Sequence, residues 1–77
     1  MPSIQDVSQL TKLQGQRLQA ALDAKGLKPN MLAFKIGVHK SIILDHLNDR
    51  TQLDIYYAFA VCNILGESYD DLFPGGA

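Results

Sequence analysis

Two short amphipathic stretches meet at Gly37 within GLKPNMLAFKIGVHKSIILDHLNDR, residues 26 to 50, and that junction is the tightest constraint on the fold. Glycine carries the backbone through positive φ, where a Cβ would clash, so the chain can end one helix at Gly37 and start another immediately in a new direction. Before the junction, Pro29 fits the first turn of a helix, where its missing N–H costs nothing, and Met31, Leu32 and Ala33 are expected to face inward. After it, the pattern predicts a helix from about His39 to Leu47, with Ile43 and Leu47 one turn apart. Asn48 and Asp49 then supply turn chemistry.

The flanking sequence extends this pattern on both sides. Leu10, Leu13, Leu18, Ala21 and Leu22 recur at the steps a buried helical stripe needs, and Gly26 ends that helix. Thr11 and Gln14 have capping-box spacing, which puts its start near Thr11 and leaves residues 1–10 as an N-terminal arm or extra turn. Asp54 is placed to cap a fourth helix carrying Ile55, Ala58, Phe59, Val61, Cys62 and Leu65 and stopping at Gly66. Ser68, with Asp71 three residues on, caps a short last helix, Leu72 and Phe73 close the core, and a frayed tail follows over 74–77. The expectation is one all-α domain of five helices over residues 11–73, with Leu18, Leu22, Leu32, Ile43, Phe59, Leu65 and Leu72 in its core.

At 77 residues there is room for a single domain, which buries only about 60 to 65% of its unfolded surface. Hydrophobic residues make up 47% and charged residues 19%, more apolar content than a well-solvated monomer needs. Part of the excess lies at Tyr56, Tyr57 and Ala60, which make the fourth helix apolar almost all round and predict an interface there. A lone cysteine, Cys62, offers no disulfide or thiolate metal site and fits a reducing, cytoplasmic setting. No apolar run approaches the roughly 20 residues of a membrane span, and the start lacks a signal peptide's apolar region, so no membrane partner is expected. His39 and His46 share a helix face but have no third ligand at suitable spacing, so neither metal nor other cofactor is predicted. There is likewise no nucleophile with a paired base and no phosphate-cradling glycine loop, which argues against an enzyme.

The net charge of −1 hides a split. Residues 1 to 50 hold all seven basic side chains against four acids, a balance of +3, while residues 51 to 77 hold four acids and no base. A fold that turns the basic half to one side can face phosphate.

The order Arg17-Leu18, Lys25-Gly26-Leu27, Leu32-Ala33, Gly37-Val38, Ser41, Ile43, Leu47-Asn48, Asp54-Ile55, Leu65-Gly66, Ser68, Asp70 and Leu72-Phe73 runs without a gap. It resembles the lambda-repressor-like helix-turn-helix family, of Cro and repressor type, over about residues 17 to 73. The resemblance implies a second helix anchored on phosphate, a third entering the major groove, and dimers on near-palindromic double-stranded DNA. On that reading Lys40, Ser41, Leu44 and Asp45 face base edges, and Lys28, Asn30 and Arg50 approach phosphate. Lys28 and Pro29 stand where family members commonly have a serine or threonine followed by glutamine.

The first functional expectation is therefore a sequence-specific transcriptional regulator, dimeric, with Lys28, Asn30, Lys40, Ser41, Asp45 and Arg50 at the DNA. The alternative is a protein-binding module on the same fold, such as a repressor antagonist docking on another helix-turn-helix regulator. Ile42 and Leu44 add apolar surface to the third helix and would serve that alternative together with Tyr56 and Tyr57.

Overall fold

The computed structural model describes residues 7–74, with side chains from residue 12 onward. It is an all-α domain of five helices: α1 Val7–Lys25, α2 Pro29–Ile36, α3 Lys40–Leu47, α4 Ile55–Leu65 and α5 Tyr69–Leu72. No described residue is in a strand.

The stops and caps follow from local chemistry. Gly26 and Gly66 end α1 and α4 in the left-handed region, as does Gly37 for α2. The Asp54 carboxylate accepts from Tyr56 N–H at 2.9 Å at the head of α4, and Ser68 Oγ accepts from Asp71 N–H at 3.3 Å at the head of α5. Thr11, expected at the start of α1, lies inside it instead, because the helix begins at Val7. The rest of the expected arm lies outside the described residues. Of the expected tail, Pro74 is held in place, its carbonyl accepting from Gln14 Nε2 at 3.0 Å, and residues 75–77 lie outside the description.

One core joins all five helices. Leu18, Ala21 and Leu22 of α1 meet Leu32 and Ala33 of α2, Ile43 of α3, Ala58, Val61 and Leu65 of α4, and Leu72 and Phe73 at the end. Leu53, in the loop before α4, is buried with them. Arg17 ties α5 to α1 by donating to the Asp71 carbonyl at 3.0 Å.

Three expected inward residues face out. Phe59 is 52% exposed, Met31 46% and Ile55 45%. The reason for α4 is plain: its core stripe is Ala58, Val61, Cys62 and Leu65, at i, i+3, i+4 and i+7, and that stripe leaves positions 55 and 59 at its margin. Phe59 packs its ring against Tyr69 with centroids 4.8 Å apart rather than entering the centre. On α2 the stripe is Leu32, Ala33 and Ile36, and Met31 falls off it.

Candidate functional site

The site is built from α2, the turn at Gly37 and α3. Gly37 has φ +79°, and its N–H donates to the carbonyls of Ala33 at 2.9 Å and Phe34 at 3.2 Å, while Val38 N–H also reaches Ala33 at 3.0 Å. These bonds satisfy two carbonyls of the last turn of α2, those of Ala33 and Phe34. α3 then starts at once, its first N–H groups capped by His39, whose Nδ1 accepts from Ser41 N–H at 3.1 Å. Histidine as the cap was not expected; serine, threonine, aspartate or asparagine is the usual signal, and His39 carries none of these.

Burial fixes the inner side of α3. Ile43 is fully enclosed in the core, and His46 is equally enclosed, its ring 5.5 Å from that of Phe73 and its Nδ1 3.3 Å from the Thr51 carbonyl. Desolvation lowers the His46 pKa below the ordinary histidine value, opposed more weakly by the Thr51 carbonyl and the Asp49 charge. The His46 ring thus links α3 to Phe73 at the end of α5. On the α1 side Gly15 allows a close approach: a Cβ there would stand 2.9 Å from the Leu47 carbonyl oxygen and 3.1 Å from that of His46. α3 is thus packed against α1, α2 and the Phe73 ring.

Its outer side carries Lys40, Ser41, Leu44 and Asp45. Lys40 and Ser41 are exposed, and Leu44 and Ile42 are each 38% exposed. The Ser41 hydroxyl lies 2.9 Å from His39 Nδ1, so this expected base reader is engaged within its own turn and offers mainly lone pairs outward. Asp45 meets Arg50, with Arg50 NH1 3.5 Å from Asp45 Oδ1. Arg50 was expected to approach phosphate; here its fork stands beside a carboxylate while remaining mostly exposed. Asn48 acts as a turn former, its side-chain amide donating to the Leu44 carbonyl at 2.8 Å.

Lys28 and Asn30 stand at the head of α2, both exposed. Lys28 occupies the N-cap in extended conformation and supplies no side-chain cap, so the first N–H groups of α2 have no side-chain partner from that residue.

Two features escaped the sequence reading. Phe34 is 81% exposed on the outer side of α2, beside Met31. The signal was available: Phe34 lies off the Leu32, Ala33 and Ile36 stripe. The other is the buried Gln14, whose amide spans from α1 to Pro74 and which reads in sequence as a surface residue. On α4, Tyr56 is 79% exposed and Tyr57 38%, and Phe59 and Ile64 extend the same apolar surface. Among the described residues no three histidine, cysteine, aspartate or glutamate side chains gather where they would hold a metal ion. Nor is any described helix long and apolar enough to cross a membrane. No family model matches this sequence, and no curated protein matches it significantly.

Proposed function

We propose that the chain is a sequence-specific DNA-binding regulator of the repressor-like helix-turn-helix kind, acting as a dimer in the cytoplasm. One observation carries the reading: α3 is clamped on its inner side and presents Lys40, Ser41, Leu44 and Asp45 on its outer side, directly after a tight glycine turn. Eight residues of helix are about 12 Å long, the scale of the major groove. Lys28, Lys35 and Lys40 are all exposed, and Lys28 stands at the head of α2, where helix N–H groups favour an anion. Between residues 28 and 50 four bases outweigh two acids, and the four acids beyond residue 50 belong to the other end of the chain. The charge-free outer side of α4 supplies a surface on which a second copy meets no like charge.

The test is a titration against random-sequence duplex at two salt concentrations. Binding that weakens steeply with salt is expected, since each phosphate neutralised contributes a slope of about −0.9 in log K against log salt. Lys40→Ala then weakens binding to a selected duplex by about 1 to 3 kcal/mol if the lysine pairs with a base edge. No duplex binding at low salt overturns the reading.

A specific observation favours a second reading, a protein-binding module such as an antagonist of another helix-turn-helix regulator. Ile42 and Leu44 are half exposed on α3, and Met31 and Phe34 add apolar surface on α2. In that case a single partner survives nuclease treatment in a pull-down from the native host and is lost with Leu44→Asp, because burying an unpaired carboxylate costs several kcal/mol.

A further inference from the structure

We infer that Asp45, with its charge offset by Arg50, selects cytosine, so that the duplex recognised carries a cytosine at the step facing the middle of α3; this rests on the DNA-binding reading above. The placement comes first. Asp45 lies one helical turn beyond Ser41 on the outer side of α3, and its side chain is 38% exposed, enough to be reached and shielded enough to be held. The loop after α3 folds back on the helix, since Arg50 N–H donates to the Asp45 carbonyl at 2.8 Å. The two residues are thereby neighbours, and the guanidinium NH1 stands 3.5 Å from the carboxylate.

The chemistry then leaves one base. A carboxylate accepts hydrogen bonds and donates none. In the major groove guanine presents two acceptors, N7 and O6, and thymine presents O4, so both repel it. Adenine offers the N6 amino group beside the N7 acceptor, a pair that suits an amide, which donates and accepts, and opposes the second oxygen of a carboxylate. Cytosine offers the N4 amino donor with only C–H beside it on its own ring, the nearest acceptor being O6 of the paired guanine. A bare aspartate facing a duplex is also repelled by phosphate, and Arg50, whose NH1 stands 3.5 Å from Asp45 Oδ1, supplies a compensating charge. Asp45 is thereby a specificity residue, and Arg50 offsets its charge.

The experiment is selection from a randomised duplex library at low salt, followed by binding curves on the selected duplex with each base at each position. Wild type is expected to demand cytosine at one position of each half-site, with the other bases weaker by about 5- to 150-fold there. Asp45→Ala should lose the preference at that position alone. Asp45→Asn, nearly isosteric and safe for folding, should move it towards adenine. Arg50→Ala should lower affinity for every sequence while the cytosine preference persists. If wild type binds duplex and Asp45→Ala and Asp45→Asn still demand cytosine, the assignment of Asp45 is overturned and the DNA-binding reading stands. Unchanged affinity in Arg50→Ala overturns the role of Arg50. If wild type binds no duplex at low salt, the inference and the reading beneath it fall together.

Discussion

α3 and α4 are built alike on the inside and differ on the outside. Each buries a stripe at helical spacing, Ile43 and His46 in α3 and Ala58, Val61, Cys62 and Leu65 in α4. Outward, α3 shows Lys40, Ser41 and Asp45 with Ile42 and Leu44 among them, whereas α4 has no charged residue from Ile55 to Leu65 and shows Tyr56, Phe59, Asn63 and Ile64. The contrast separates two kinds of surface. Polar groups at fixed positions read a polar partner by donor and acceptor pattern, while an uncharged apolar side gains mainly from being covered. The same contrast decides what each helix contributes to stability, and it can be broken at several points.

The largest effect is expected in the shared core. Leu32 is fully buried in the shared core, so Leu32→Ala should cost about 2 to 5 kcal/mol, much of the stability of so small a domain. Phe59 is half exposed on α4, so Phe59→Ala should cost clearly less despite removing the larger side chain. Chemical denaturation of the two variants ranks them. If Phe59→Ala proves the more damaging, the outer side of α4 belongs to the core after all.

Next comes the seat of α3 on α1. Alanine is the better helix former by about 1 kcal/mol, yet the Cβ added by Gly15→Ala would stand 2.9 Å from a backbone oxygen of Leu47, which cannot swing aside as a side-chain tip would. Overpacking of this kind costs about 1 to 3 kcal/mol, so the variant should be destabilised on balance and should bind duplex less well because α3 shifts. A variant as stable as wild type would show that α3 is not seated through Gly15.

A smaller effect follows from His46. Burial holds its folded pKa below the unfolded value of about 6.5, so the unfolded chain takes up the proton first as pH falls. Stability from this group is therefore complete above about pH 6.5 and declines as pH drops from there towards the depressed folded value, by at most about 1.4 kcal/mol per pH unit. Denaturation curves of wild type and His46→Gln between about pH 7.5 and about pH 5.5 should show the slope in wild type and its loss in the variant. Parallel curves would remove His46 as the source.

How far the sequence speaks follows the same contrast. α2 and α3 were legible in part: Leu32, Ala33 and Ile43 were placed inward and are buried, but the continuous apolar runs Met31–Phe34 and Ile42–Leu44 hid which flank faces out, so Met31 was placed inward too. The stops were legible as well, since Gly26, Gly37 and Gly66 each sit where a helix pattern ends, and all three adopt positive φ. On α4 the periodicity fails to choose a side, because Tyr56, Tyr57 and Phe59 are as apolar in sequence as Ala58 and Val61, and Phe59 was assigned to the core on that account. Contacts between distant residues left no local trace. The Gln14 amide bonds Pro74 across the domain, and Asp45 meets Arg50 only because the Asn48–Asp49 turn, with Asp49 at φ +63°, brings the chain back. For the candidate site, residue types were legible and their pairing was not: Lys28, Asn30 and Lys40 are exposed as expected, while Ser41 and Arg50 are already engaged by His39 and Asp45.

The smallest effect on folding, and the most direct probe of the comparison, is expected at Tyr56. Tyr56 is 79% exposed, so replacing it by glutamate should leave the stability of the monomer within about 0.5 to 1 kcal/mol of wild type, with a somewhat larger cost when Tyr57, 38% exposed, is replaced as well. If a second copy covers α4, the two new carboxylates face their own images across a two-fold axis, and like charges brought together at a desolvated contact oppose association strongly. Sedimentation velocity over a range of concentrations should then show wild type shifting from monomer to dimer and the double variant remaining a monomer. Duplex binding should weaken in step, since a dimer holds two half-sites and a monomer one. Lys40→Ala gives the opposite pattern, leaving the dimer intact while weakening the duplex. Should wild type itself sediment as a monomer at high concentration, the apolar outer side of α4 would have to be covered by a different protein, and the division of labour between α3 and α4 would become one between two kinds of partner.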